Sequence, residues 1–117
     1  VTESSTPDQL DPEDEKLITL ARATRARTQA AEGAAVRDET GRTYTAATVE
    51  LPSLKLTALQ AAVAAAVSSE AGALEAAAVV TAASEAAEAD RAVAADMKTP
   101  LVVLAGPDGT PTAALHA

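Results

Sequence analysis

Two runs that are apolar almost throughout, LEAAAVVTA at 74–82 and LVVLAG at 101–106, constrain this chain more than any other feature. Such runs suit strands buried on both faces, as in parallel pairs covered by helices on either side. Between them SEAAEADRAVAADM, 84–97, reads as a helix, and Pro100 separates it from the second run. Strand, helix and strand in that order make a βαβ unit, which requires a layered α/β architecture.

The upstream sequence supplies the other layers. DPEDEKLITLARATRARTQAAEG reads as a helix in which Asp11 caps the first turn and Pro12 takes the first helical position. Glu13, Asp14 and Glu15 complement the helix dipole. Leu17, Leu20, Ala21, Thr24, Thr28 and Ala31 share one face, and Gly33 is expected to stop the helix. Two β-type runs, 34–38 and 42–49, flank Asp38-Glu39-Thr40-Gly41 and predict a hairpin. Pro52 breaks the chain, and a second helix is expected over 54–71, capped by Ser53, with Thr57 in its first turn and Gly72 after its end. TPTAALHA, 110–117, fits a short edge strand or a last helical turn. Residues 1–9 are expected to be disordered, and 10–117 to form one domain. The expected fold is a three-layer α/β/α sandwich, with a mixed sheet built from an N-terminal helix and hairpin followed by the βαβ unit.

Composition narrows what that fold can do. Hydrophobic residues make up 48% of the 117, mostly Ala, and Tyr44 is the sole aromatic. Small side chains bury little area each, so an oligomeric interface is expected to supplement the core. Tyr44 is expected at a sheet edge or interface with its hydroxyl wet. The formal charge of −8 argues against a nucleic-acid surface. Arg22, Arg25 and Arg27 form the best basic cluster, either a local anion site or a solvated helix face. No Cys is present, which excludes disulfides, Cys-ligated zinc, iron–sulfur clusters and thiol nucleophiles. The apolar run around 56–67 is about half the length that spans a bilayer. No membrane association is expected, and the cytosol is the expected location.

The stretch GAAVRDETGRTYTAATVELPSLKLTALQAA, 33–62, resembles the cytidine deaminase family of small zinc enzymes that act on free nucleosides. Gly41, Val49, Glu50, Ser53, Leu56 and Thr57 stand where that family's pattern wants them, and the resemblance runs over about 10–106. It implies a zinc-binding Cys or His at the position of Leu59, and a proton-shuttling Glu at that of Ala61. It also implies a sugar-holding Asn where Thr48 stands, and a Pro-Cys-x-x-Cys motif at the start of the helix after the 74–82 strand. That junction here reads TAASEAAEAD. Zinc deamination needs three imidazole or thiolate ligands and a carboxylate to take the proton from the bound water. With no Cys and His116 alone, those ligands cannot be assembled from this chain. No catalytic residue, metal or cofactor is expected.

Other constellations carry little. Ser53 or Thr57 as a nucleophile has only His116 as an imidazole base. Gly106-Pro107-Asp108-Gly109 lacks phosphate-loop spacing and is a turn. Glu85 and Glu88 read as an exposed side of the third helix. Two readings of function follow. The first is a catalytically inactive structural or protein-interaction module; the resemblance implies assembly as a dimer or tetramer, with the Ala-rich second helix keeping that packing, and a further protein partner is unidentified. The second is a nucleoside- or nucleobase-binding regulator that keeps a vestigial pocket at Thr48, Glu50, Thr57 and Gln60. It requires that Leu59 and Ala61 have not closed that space.

Overall fold

The computed structural model describes the backbone of residues 2–5 and the whole of residues 10–116. Its elements are β1 (Thr2–Ser5), α1 (Pro12–Thr28), β2 (Gly33–Asp38), β3 (Thr43–Ala47), β4 (Val49–Leu51), β5 (Leu54–Leu56), α2 (Ala58–Ser68), β6 (Leu74–Val80), α3 (Glu88–Asp96), β7 (Leu101–Ala105) and β8 (Pro111–His116). Six strands form one sheet in the order β1-β8-β7-β6-β2-β3, while β4 and β5 form a separate two-stranded ribbon. β6 and β7 are parallel, with Val79 opposite Leu104, and the other pairs in the sheet are antiparallel. The mixed α/β sandwich expected from sequence is the fold observed.

The two apolar runs explain the layering. Side chains alternate across a strand, so a strand that is apolar at every position must be covered twice. Ala77 and Val79 of β6, with Val102 and Leu104 of β7, meet Leu59, Ala62 and Val63 of α2 and Ala94 of α3. Ala76, Ala78 and Val80 of β6, with Val103 and Ala105 of β7, meet Leu17, Ile18 and Ala21 of α1. Helix α1 thus covers one face of the sheet, and α2 with α3 the other.

Local chemistry sets the boundaries, and several differ from expectation. Asp11 caps α1 by accepting from Glu13 N at 2.9 Å, as expected. Its C-terminus is closed by Gln29, a left-handed residue with φ 55°, rather than by Gly33. Gly33 instead opens β2, where α1 lies so close that a Cβ would overlap the Ala21 carbonyl oxygen and come within 2.9 Å of Arg25 N. The second helix begins at Ala58, not 54. Leu54–Leu56 pairs with Val49–Leu51 as a strand, so Ser53 sits in the ribbon's turn and caps nothing. The cap is Thr57, whose Oγ1 accepts from Gln60 N at 3.0 Å while Thr57 N donates to Gln60 Oε1 at 2.9 Å. The third helix begins at Glu88, not 84, so Glu85 precedes it and only Glu88 lies on it. Of the 110–117 tail, Pro111–His116 is a strand and not a helical turn, and it is not an edge, because β1 pairs with it; residue 117 lies outside the described residues. That pairing also corrects the expectation of disorder over 1–9 for Thr2–Ser5. Residues 1 and 6–9 lie outside the described residues.

Polar contacts tie the layers together. Arg37 of β2 donates to Glu75 of β6 at 2.8 Å, to Asp14 of α1 at 3.0 Å and to the Glu13 carbonyl at 3.2 Å. Asp38 organises the β2–β3 turn by accepting from Thr40 N and Oγ1, from Arg42 N and from the Tyr44 hydroxyl. Burial works against charge on Asp38, but those bonds outweigh it and hold its carboxyl below the ordinary range. Tyr44 does lie on an edge strand, half-buried, yet its hydroxyl is bonded to Asp38 at 3.1 Å. Among the described residues no helix is long and apolar enough to cross a membrane.

Gly33→Ala should force α1 away from the sheet. The expected cost is about 2–3 kcal/mol, within the usual range for overpacking, read as a shift in the denaturation midpoint at unchanged slope.

Candidate functional site

A cleft of about 410 Å³ opens between the β4–β5 ribbon, the start of α2 and the end of β6. Thr48, Glu50, Thr57 and Gln60, the four pocket residues expected from sequence, all line it, together with Glu32, Lys55 and Thr81. Leu59 and Ala61 do not line it. Leu59 is fully buried in the core beneath α2, and Ala61 is half-buried.

The polar groups of the cleft are largely committed to the protein's own backbone. Thr48 Oγ1 accepts from Glu32 N at 3.0 Å and lies 3.4 Å from the Glu32 carbonyl. Thr57 and Gln60 satisfy each other in the capping box. Glu50 is exposed on the ribbon, directly opposite Lys55 in the β4–β5 register.

One functional-looking group escaped sequence reasoning. Asp90, in the first turn of α3, is 3% exposed, and its Oδ1 accepts from Thr57 Oγ1 at 2.6 Å. That bond joins the N-terminal ends of α2 and α3. Burial raises the Asp90 carboxyl above its ordinary range; the bond from Thr57 acts the other way, and the nearby charge of Glu32 adds to the rise. The signal was present in the sequence. Asp90, Ala94 and Met97 recur at helical spacing, and all three are buried, so the acid lies on the apolar stripe of its helix.

The remaining candidates are dispersed. His116 is exposed on β8, Glu85 and Glu88 are exposed, and Arg25 donates to the Ala31 carbonyl at 3.1 Å. Among the described residues no three His, Cys, Asp or Glu side chains gather as metal ligands.

Residues 10–109 match the sequence signature described as cytidine deaminase-like. The chain belongs to the cytidine deaminase-like family. Among solved structures, it is similar to cytidine deaminase from Burkholderia pseudomallei, with 25% identity over 84% of this chain and 88% of that one and a TM-score of 0.72. Cytidine deaminase from Mycobacterium tuberculosis matches at 26% identity over 86% and 89%, with a TM-score of 0.67. The Mycobacterium leprae enzyme, 22% identical over 91% and 94% with a TM-score of 0.68, shares the fold. No curated protein sequence matches the chain.

The zinc ion that the family resemblance implies does not fit the residues here. The chain has no Cys and one His, which lies exposed on β8. A buried Leu59 stands at one implied ligand position, and Ala61 at that of the proton-shuttling carboxylate. Where the starts of α2 and α3 meet, the structure has a hydroxyl–carboxylate hydrogen bond. An oxygen pair of that kind lacks the N and S donors on which such zinc sites are built.

Asp90 holds its proton more tightly folded than unfolded. Its contribution to stability is therefore complete below the ordinary Asp pKa of about 3.9 and is lost as pH rises through the raised folded value. Asp90→Asn, which keeps an oxygen for Thr57, should remove that loss. Its stability relative to the parent should increase from pH 3.5 to pH 7.5, measured by urea denaturation at both.

Proposed function

We propose that this chain is a catalytically inactive member of the cytidine deaminase-like family that works as a structural or interaction module through self-association. The observation that carries this reading is the β4–β5 ribbon. It lies outside the main sheet and exposes Leu51 (55%) and Leu54 (48%) on either side of its Pro52-Ser53 turn. A two-stranded ribbon alone is marginally stable in water, and two exposed leucines side by side favour burial against another surface. Val67, in the last turn of α2, is exposed to a similar extent, 50%. The core supports the same reading, because its largest fully buried side chains are Leu and Val and it holds no buried aromatic ring.

Loss of catalysis rests on the donor set. Without thiolate or imidazole ligands at the helix starts, and with Ala61 in place of the proton carrier, the chain's own residues cannot activate water on a base.

A second reading, nucleoside or nucleobase binding without chemistry, draws support from the open 410 Å³ cleft beside Thr48, Glu50, Thr57 and Gln60. Against it, Thr48 Oγ1, Thr57 Oγ1 and Gln60 Oε1 already hold local hydrogen bonds.

Light scattering coupled to size exclusion should give a dimer or larger assembly for the parent chain. The double variant Leu51→Glu/Leu54→Glu should be monomeric with an unchanged circular-dichroism spectrum. A parent that stays monomeric at high concentration sinks the proposal. Cytidine or uridine shifting amides over 48–60 in a saturable way would move the function to the second reading. Incubation with cytidine should yield no uridine, with or without added zinc.

A further inference from the structure

β3 is the last strand on its side of the sheet, and it carries none of the devices that ordinarily guard such an edge. Exposed strand edges are blunted by charged side chains, by Pro or by β-bulges. TYTAA, 43–47, has no charge and no Pro, and its register with β2 runs from Gly33–Ala47 to Arg37–Thr43 without a shift. The opposite edge, β1, does shift its register against β8. Thr and Tyr also favour extended backbone, so β3 is a regular strand with an unguarded flank.

Two bonds at the ends of the β2–β3 ladder determine which backbone groups of β3 face that flank. Asp38 N donates to the Arg42 carbonyl at 2.8 Å, and Thr48 N donates to the Glu32 carbonyl at 3.2 Å. Hydrogen-bonded and non-hydrogen-bonded pairs alternate along an antiparallel ladder. In the observed register Tyr44–Val36 and Ala46–Ala34 are therefore bonded pairs, and Tyr44 and Ala46 turn their N–H and C=O towards β2. Thr43, Thr45 and Ala47 turn theirs the other way, where the sheet has no further strand among the described residues. Thr43 and Thr45 are exposed.

We propose that a second copy of this chain docks on that edge, β3 against β3 about a two-fold axis at Thr45, so that the two sheets become one. A two-fold contact joins the same strand of each copy, and the strands then run antiparallel. Thr45 faces its counterpart and Thr43 faces Ala47 of the other copy, and each pair is of the kind that exchanges both of its N–H···O bonds. Charge favours this direction. Arg42 precedes the strand and Glu50 follows it, both exposed. Antiparallel pairing sets the Arg42 end of one copy beside the Glu50 end of the other. The net charge of −8 opposes most approaches between two copies, which favours a contact whose strand is uncharged and whose ends carry opposite signs. Thr48 alone separates β3 from β4, so the ribbon leaves the edge strand beside this contact. The inference rests on the self-association proposed above and adds to leucine burial a backbone contact that sets the relative orientation of the copies.

Amide hydrogen exchange in the full chain, followed residue by residue by NMR at low and high protein concentration, reads the alternation directly. Exchange at Thr43, Thr45 and Ala47 should slow about tenfold or more on association, while Tyr44 and Ala46 stay protected at both concentrations. Thr45→Pro removes an N–H that β2 does not use, at a place where an edge strand tolerates Pro. Thr45→Lys sets like charges opposite each other across the axis. Both variants should be monomeric by light scattering, with unchanged circular dichroism. Association that persists in Thr45→Lys overturns the edge contact, and so do amides at 43, 45 and 47 that exchange alike at both concentrations. The two readings fail separately. Association retained in Leu51→Glu/Leu54→Glu but lost in the Thr45 variants removes the ribbon and leaves the edge, and the reverse removes the edge and leaves the ribbon. A parent chain that stays monomeric at high concentration overturns both.

Discussion

Alanine faces the sheet on both sides, with Ala34 and Ala77 beneath α2 and Ala35, Ala76 and Ala78 beneath α1. Short side chains let a helix approach a strand closely, and Gly33 marks the extreme, where even a methyl group has no room against α1. The rest of the molecule is arranged around that proximity. Arg37 can reach Asp14 and Glu75 together because α1 lies close over β2 and β6. Thr57 can reach Asp90 because α2 and α3 share the other face. The compactness has a cost in driving force, since each small residue removes little area from water. In the proposed self-association, burial of the ribbon's exposed leucines adds to a core that is thin in bulk.

The layer order was legible because it depends on period and run length, which a single sequence carries. LEAAAVVTA and LVVLAG have no polar face and had to be central, and they are β6 and β7. What was not legible depended on competition between neighbouring elements. Leu54 to Leu56 continues the apolar pattern of α2, yet the turn at Pro52-Ser53 offers those residues a partner strand, and the ladder won. Thr57 then became the first residue with a free amide to cap, so the helix starts there. Gly33 looked like a stop signal because glycine ends many helices, whereas here its lack of a Cβ serves contact between layers.

The candidate pocket was legible as a place but not as a state. Thr48, Glu50, Thr57 and Gln60 do gather around one cleft. Their hydrogen bonds, which depend on geometry finer than spacing, are mostly turned inward. Asp90 was overlooked because an acid near a helix N-terminus reads as a dipole partner in solvent. Its stripe, shared with Ala94 and Met97, pointed inward. The hydrogen bond from Thr57 to Asp90 links the starts of α2 and α3.

The pairing of β1 with β8 sets Thr2 opposite His116, so two strands from nearly opposite ends of the sequence lie side by side. Closing so long a loop costs entropy that local hairpins avoid, and non-local pairing of this kind slows folding. The β2–β3 hairpin and the β6–α3–β7 crossover can form from neighbouring sequence. The outer flank of β8 stays open until β1 arrives. Whenever β1 is undocked, that flank is an unpaired strand edge, the kind of surface on which two copies of a chain can exchange strands.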